Sequence, residues 1–438
     1  VGSYDSRDSV RSSERTDAGS LAVLVIGTLD TKGAEIEYLA EAIESRGAAP
    51  LLLDSSTAEG DADSKFELIS RGRVAAAAGS TIEAVAELPR GEAVETMREG
   101  VRELTKELAV AGRVDGAICI GGAGAHLAGP AFQELPIGFP KLVVSPLASG
   151  QRQFEPYVGL SDVAVMHSVA DIAGINAITE RVFRSAAGYI AGAAAAHRDE
   201  KDAERADGAE PTVVVSMNGN TTRAMDRGRA RIEKAGYAVV TFHANGVGGR
   251  ALEAFVDSGQ AVAVLDYTTT ELGAGLVGGL MDSGPTRMEA AGRHGLPQVL
   301  VPGCVDFITC GPWAEAEREF PDRVMFGHSP ELTLVRLSGE EMAELGAIFA
   351  AKANLAAGPT AVLVPRDGFS VSDIEGGPFW DPEADEAFID ALVSRLEGRV
   401  RVQVIDAHIN DPSFADAAVD ELLALVSGVR NERAEAVS

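Results

Sequence analysis

Cysteine is scarce in this chain: Cys119, Cys304 and Cys310 are the three among 438 residues. Thiols so few and scattered exclude a disulfide framework and fit a reducing compartment, so a cytoplasmic location is expected. Aromatic residues are also sparse, at 5%. Positive charge is outweighed, the formal net charge being −28. That balance disfavours DNA, RNA and anionic membrane, whose phosphates it repels. No run of Lys and Arg with interleaved aromatics offsets it. Long apolar runs are missing too, and the apolar stretch Tyr189–Ala196 is short and alanine-rich, as a buried helix is. Residues 1–20 lack the apolar core of a leader peptide and read as a disordered tail. The signatures of serine hydrolases, zinc proteases, kinases and deaminases are all absent. Cys304 and Cys310 make at most a weak case for a metal or redox pair.

What is abundant is glycine, with 48 residues, alongside alanine and an apolar fraction of 46%. Small residues suit closely packed helices over a Val/Ile-rich sheet. The length implies two domains of about 200 residues each. Leu21–Ile26 is a continuous apolar run. It leads into Gly27–Gly33 and then a helix with Ile36, Leu39, Ala40 and Ile43 on one face. A second strand follows at Pro50–Leu53, closed by Asp54, so the unit is β–loop–α–β with parallel strands. Further strands are expected at Ala117–Ile120, Lys141–Ser145 and Val163–His167, and a long helix from Asp171, its expected cap, to about Ala196.

The polar stretch 197–210 reads as an interdomain linker or exposed loop. After it the alternation restarts, with strands at Thr212–Ser216, Tyr237–Phe242, Val262–Leu265, Gln298–Val301, Glu331–Arg336, Ala361–Val364 and Val402–Ile405. The predicted fold class is α/β: two mostly parallel Rossmann-like α/β/α domains, 21–196 and 211–438, with a barrel as the alternative.

Loops at strand ends hold the candidate chemistry. In Gly27–Gly33, Thr28 and Thr31 offer hydroxyls, and Lys32 offers a point charge. The amides that open the helix are a phosphate site in waiting. Asp30 can order water around a metal ion or cap the helix. The bland reading is a capped helix start with Lys32 in solvent. Asp54 can accept bonds from ribose hydroxyls or close an ordinary turn with Ser55 and Ser56. Gly121 and Gly122 open the run Gly121–His126, either for close ligand approach or for a tight strand-to-helix connection.

In the second half, His243 is a candidate acid or base, and Gly248 and Gly249 can open an anion-binding helix terminus. Asp266, Glu271, Asp306 and His328 complete a candidate hydrolytic or metal-assisted set if the fold gathers them. Arg366 either meets a carboxylate or phosphate or pairs with Asp367.

Several of these motifs together resemble one known family. They are Gly27–Gly33, Phe242–Gly249, Leu265–Glu271, Pro365–Ser370 and Ile409–Ala415. The family is the bacterial, fungal and plant one that includes the tomato mosaic virus resistance protein. The resemblance implies an ATP-binding amino-terminal region, a second α/β region and homodimers. Carried over by motif, ATP meets Gly27, Thr28, Asp30, Thr31 and Lys32 with Gly121 and Gly122 opposite, and Mg2+ accompanies the phosphates. Three readings stand: an ATP-binding protein of unassigned reaction, an enzyme on a small carboxylated or phosphorylated metabolite, or a non-catalytic nucleotide-dependent interaction module.

Overall fold

The structure, a computed structural model, describes residues 20–122, 125–147, 155–207 and 210–437. The expected disordered tail thus falls outside the described residues, Ser20 excepted. The chain divides into two compact units, Val1–Gly208 and Ala209–Ser438.

The first unit runs β1 (Ala22–Gly27), α1 (Leu29–Glu44), β2 (Ala49–Asp54), β3 (Glu67–Ile69), α2 (Arg71–Ala77), α3 (Ile82–Glu87) and α4 (Arg90–Val110). It continues with β4 (Gly116–Ile120), α5 (Ala125–Gln133), β5 (Lys141–Ser145), α6 (Glu155–Val158), β6 (Ala164–His167) and α7 (Ala177–Asp207). Its sheet has the order β3-β2-β1-β4-β5-β6, with every pair parallel. The unbroken apolar runs of β1 and β4 are explained by burial on both faces. One face meets α1 and α7 through Ile36, Leu39, Phe183 and Ile190. The other meets α4 and α5 through Met97, Val101, Leu104 and Phe132.

The second unit opens with β7 (Thr212–Met217), a short 3₁₀ turn at Gly219–Thr221, α8 (Thr222–Lys234), β8 (Ala238–His243), α9 (Val247–Asp257), β9 (Ala261–Thr268), α10 (Glu271–Val277) and α11 (Ala290–Arg293). Next come β10 (Gln298–Gly303), β11 (Phe307–Cys310), α12 (Trp313–Glu319), β12 (Met325–Ser329), β13 (Leu332–Arg336) and α13 (Gly339–Asn354). It closes with β14 (Thr360–Pro365), α14 (Pro382–Val393), β15 (Arg401–Ile405) and α15 (Pro412–Val437). The main sheet, β15-β14-β10-β9-β7-β8, is parallel throughout. Both units are therefore open, doubly wound Rossmann-like α/β/α domains, not barrels.

Three expectations change. The polar stretch 197–210 is not an exposed loop over most of its length: α7 runs on to Asp207, next to the boundary between the two units. An exposed helix needs no apolar face in every turn, and Ala, Glu, Lys and Arg are strong helix formers. Arg198 fastens that stretch to Asp115 at 3.0 Å and to the Ser20 carbonyl at 3.0 Å. Asn176, not Asp171, caps α7, its side-chain oxygen accepting from the Ile178 and Thr179 amides. Finally, the strand expected at Glu331–Arg336 is β13, which joins an antiparallel three-stranded sheet, β11-β13-β12, instead of the main one.

Candidate functional site

In the first unit strand order reverses at β1, whose neighbours are β2 and β4. Such switch points leave a crevice at the carboxyl edge of the sheet, where ligands settle. Ile26 lies opposite Cys119, so Gly27–Gly33 and Gly121–Gly122 leave adjacent strands at that same edge. Gly121 has φ 151°, which a side-chain-bearing residue rarely adopts. Ala123, Gly124 and the segment Ser149–Gln151 lie outside the described residues, as does the side chain of His126.

The amides that open α1 are not free for a phosphate. Gly27 faces Asp54 across β1 and β2, and this register delivers the carboxylate to the loop. Asp54 Oδ1 accepts from the Leu29 amide at 3.1 Å, the Ser56 amide at 3.1 Å and Ser56 Oγ at 2.5 Å. Its Oδ2 accepts from Arg71 Nε at 2.7 Å. Ser56 Oγ in turn accepts from the Asp30 amide at 3.2 Å. Asp54, only 1% exposed, thus braces the loop instead of facing a ribose.

What remains accessible is the outer rim. Thr28 and Thr31 hydroxyls lie 2.8 Å apart, and the Asp30 side chain is exposed. Lys32 kinks α1 with φ −130° and ψ 21°. Its ammonium donates to the Ile172 carbonyl, and Glu35 accepts from the Gly174 amide at 2.6 Å. Both ties hold the segment after β6 against α1. On that segment Val169, a β-branched residue, has φ 65°, a strained conformation of the kind that gathers at functional sites.

In the second unit the structure gathers Asp266 and Glu271, but around a cation of its own. Arg287 is fully buried. It grips Asp266 with two bonds, 2.5 and 2.7 Å, and Glu271 Oε2 with a third at 2.5 Å. Glu253 lies 3.4 Å away and accepts from the amides of Met288, Glu289 and Ala290. Glu271 Oε1 accepts from the amides of Gly246 and Gly249 at 2.8 and 3.0 Å. The anion place at the start of α9 is therefore filled from within the chain.

The three threonines after Asp266 are equally committed. Thr268 Oγ1 meets Thr221 Oγ1 at 2.8 Å, Thr269 Oγ1 donates to the Val301 carbonyl and Thr270 Oγ1 to that of Phe307. His243, at the end of edge strand β8, and His328, on edge strand β12, are exposed and outside this cluster. Arg366 pairs with Asp406 at 3.5 Å, both well exposed.

Asp306 belongs to a second buried cluster. Its Oδ2 accepts from Ser370 Oγ at 2.8 Å. Arg336 donates to Asp385 at 2.6 Å, to the Asp306 carbonyl at 2.9 Å and to the Phe379 carbonyl at 2.9 Å. Asp373 Oδ2 accepts from the Phe369 amide at 2.9 Å. Burial, reinforced by the charge of Asp373, pushes the Asp306 carboxyl up to about 7. Burial and the charge of Asp373 push Asp385 up to about 8.

Cys304 is buried beside this cluster with φ 58°, and burial raises its thiol well above the usual range. Cys119, Cys304 and Cys310 are buried free thiols in the structure. Among the described residues no group of three His, Cys, Asp or Glu is arranged to hold a metal, and no helix is long and apolar enough to cross a membrane.

Sequence reading missed Arg287, Glu253, Arg336, Asp373 and Asp385. Arg287 and Asp373 lie in loops, Asp385 in the first turn of α14, Glu253 within α9 and Arg336 at the end of β13, so no common local pattern marks them. A hollow of about 330 Å3 walled by Pro211, Tyr237, Pro297 and Arg430 lies at the amino ends of β7 to β10. Parallel sheets do not place their ligands at that edge.

Both units match known sequences. Residues 21–199 match the model described as Uncharacterised protein family (UPF0261) N-terminal domain, and residues 210–426 match that family's C-terminal domain. A UPF0261 protein of Clostridium tetani is 35% identical over 404 residues, covering 92% of this chain and 98% of the relative. One of Rhizobium meliloti is 37% identical over 402 residues, covering 91% and 97%. The ToMV susceptible protein tm-1(GCR26) of Solanum lycopersicum is 33% identical over 423 residues, covering 93% of this chain and 56% of the tomato protein. Among solved structures, Acinetobacter baumannii MurG matches at 10% identity and a TM-score of 0.24, covering 93% of this chain and 100% of that one. The chain belongs to the UPF0261 family, which also includes the tomato tm-1 protein.

Proposed function

We propose that the first unit binds a phosphorylated nucleotide, ATP in our assignment, in the crevice between the carboxyl ends of β1 and β4. One observation carries this reading: the Gly27–Gly33 and Gly121–Gly122 loops lie side by side at the point where strand order reverses. A Cβ added at Gly33 or Gly122 would meet nothing within 4 Å, so the space beside both loops is open.

Because Asp54 and Ser56 hold the first helix amides, the phosphate grip falls to other groups. The Thr28 and Thr31 hydroxyls and the Lys32 ammonium are the donors at the rim, Lys32 exchanging the Ile172 carbonyl for a phosphate oxygen. Magnesium would ride on phosphate oxygens and water, with the exposed Asp30 an acid of the same loop. The alternative of an enzyme site in the second unit is weakened by the commitment of Asp266 and Glu271 to Arg287. We carry the homodimer as part of this proposal, to be read from the sedimentation of the full chain with and without nucleotide.

Calorimetric titration of the full chain with ATP and magnesium tests the assignment. Removing one charge-assisted hydrogen bond by Lys32→Ala is expected to weaken binding about 10- to 100-fold. Absence of binding at millimolar ATP in both proteins ends the nucleotide reading. Equal affinity in both would remove Lys32 from it.

A further inference from the structure

Around the loop between β14 and α14 lies a group of carboxyls that the nucleotide reading does not use. Asp373 lies on that loop, Asp385 in the first turn of α14 and Asp306 just after β10. Asp306 and Asp373 are 0% exposed and Asp385 2%. One guanidinium, that of Arg336 on β13, acts on all three by its charge and hydrogen-bonds only one of the carboxyls, that of Asp385. With every carboxyl ionised, Asp306 Oδ1, Asp373 Oδ1 and Asp385 Oδ2 find no donor in the protein. Buried oxygens left in that condition are costly, and a buried net charge costs more.

Other groups also face the cluster. His408, just after β15, places Nε2 2.8 Å from the Ser370 carbonyl, and its Nδ1 accepts from the Asn410 amide. The Cys304 thiol, at the end of β10, is held protonated by burial. Ser370 contributes a hydroxyl that is already spent on Asp306. Asp381, the cap of α14, turns its carboxylate to the Ala384 amide. Three carboxyls against one guanidinium leave negative charge in excess, and among the described residues the three are not arranged to hold a metal ion.

We propose that Asp306, Asp373 and Asp385 share protons at neutral pH, and that these shared protons fasten the loop after β14 to the second unit. A proton on either Asp373 or Asp385 turns their neighbouring oxygens into a hydrogen-bonded pair, the arrangement of carboxyl dyads that share a proton. The start of the loop is pinned by backbone bonds of Arg366, Asp367 and Gly368 to Ile405, Ala407 and Ile409 and by the buried ring of Phe369. Residues 371–378, all described, make no backbone hydrogen bond outside the loop. Its Phe369 carbonyl accepts from the Cys304 amide at 2.8 Å, and the Phe379 and Ser372 backbones bond each other at 3.0 Å. The Phe379 carbonyl, in turn, is held by Arg336. Loss of the protons leaves like charges in contact on three separate segments, so the loop lifts from the carboxyl edge of the second sheet as pH rises. Solution pH thereby gates that edge.

Two measurements on the full chain test this. In infrared spectra of protein labelled at the aspartate carboxyl carbon, a protonated-carboxylate band is expected at about pH 6 that fades by about pH 9. It should be diminished in Asp385→Asn. Hydrogen exchange of the amides from Ser372 to Phe379 provides the second readout. After correction for intrinsic rates, it should accelerate about tenfold per pH unit for each proton released on opening. In Asp385→Asn, whose amide cannot ionise, the excess acceleration should shrink. Absence of the band in folded wild type at about pH 6 overturns the proposal, as does exchange in the loop that tracks the amides of α13 across the range. Should Asp385→Asn fail to fold, the wild-type titrations decide by themselves.

Discussion

Asp54 shows how a strand-end acid takes a structural post. Its two oxygens accept four hydrogen bonds, three from the residues that turn β1 into α1 and β2 into the next loop and one from Arg71. Both partners of the ion pair are nearly inaccessible, with side-chain exposures of 6% for Arg71 and 1% for Asp54. Deleting one member of a buried pair strands the other, at a cost of about 3–5 kcal/mol. Asp54→Ala is therefore expected to lower unfolding stability by about that amount and to loosen the Gly27–Gly33 loop. Urea denaturation followed by far-UV circular dichroism measures the first effect. A loss under about 1 kcal/mol would mean the brace is dispensable. The sequence placed Asp54 correctly at a strand end but left its role open between ribose and turn. Its partner Arg71 comes from a different element, a relation that no local pattern records. The same holds for Arg287 and Arg336, whose acids are brought to them by the fold over separations of 21 and 49 residues.

Elements were far more legible than their partnerships. Apolar runs bounded by glycine mark β1, β4, β7, β9 and β10, because a strand buried on both faces must be apolar throughout. The sequence could not reveal that Glu331–Arg336 leaves the main sheet, since a buried strand reads the same in either. Nor could it reveal how far α7 extends, because a polar helix resembles a polar loop in composition. Close approach of strands is another fact fixed only by the fold. A Cβ at Gly303, the last residue of β10, would sit 2.2 Å from the Tyr267 carbonyl oxygen on neighbouring β9. That oxygen is backbone and cannot swing aside. Gly303→Ala must spread the two strands where β10 already departs from regular register. A destabilisation of about 1–3 kcal/mol is expected. Trp313 and Trp380, the two tryptophans of the chain, both lie in the second unit, so their fluorescence reports its unfolding selectively. An unchanged midpoint in that signal would show that the strands have slack.

For the whole molecule the decisive variable is pH. A carboxyl whose folded value is raised keeps a proton that the unfolded chain has already lost. Between the ordinary aspartate value of 3.8 and the raised values of about 7 for Asp306 and about 8 for Asp385, the folded protein binds more protons than the unfolded one. Stability must then fall as pH rises through that window, by about 1.4 kcal/mol per pH unit for each proton held. The contribution is complete below about pH 4 and gone above about pH 8.

Acids paired at the surface act oppositely. Asp416, held low by its hydrogen bond from Arg227, loses that advantage only as pH falls below the usual carboxylate range. A net charge of −28 also favours milder acidity, because protonation relieves self-repulsion. That repulsion is screened within about 10 Å at 0.1 M salt and within about 3 Å at 1 M, whereas buried carboxyls are shielded from salt. Tryptophan-monitored urea midpoints at high salt should therefore still decline from about pH 5 to about pH 8, and the slope should flatten in Asp385→Asn. A decline that vanishes at high salt would assign the pH dependence to the acidic surface and leave the buried carboxyls without influence on stability.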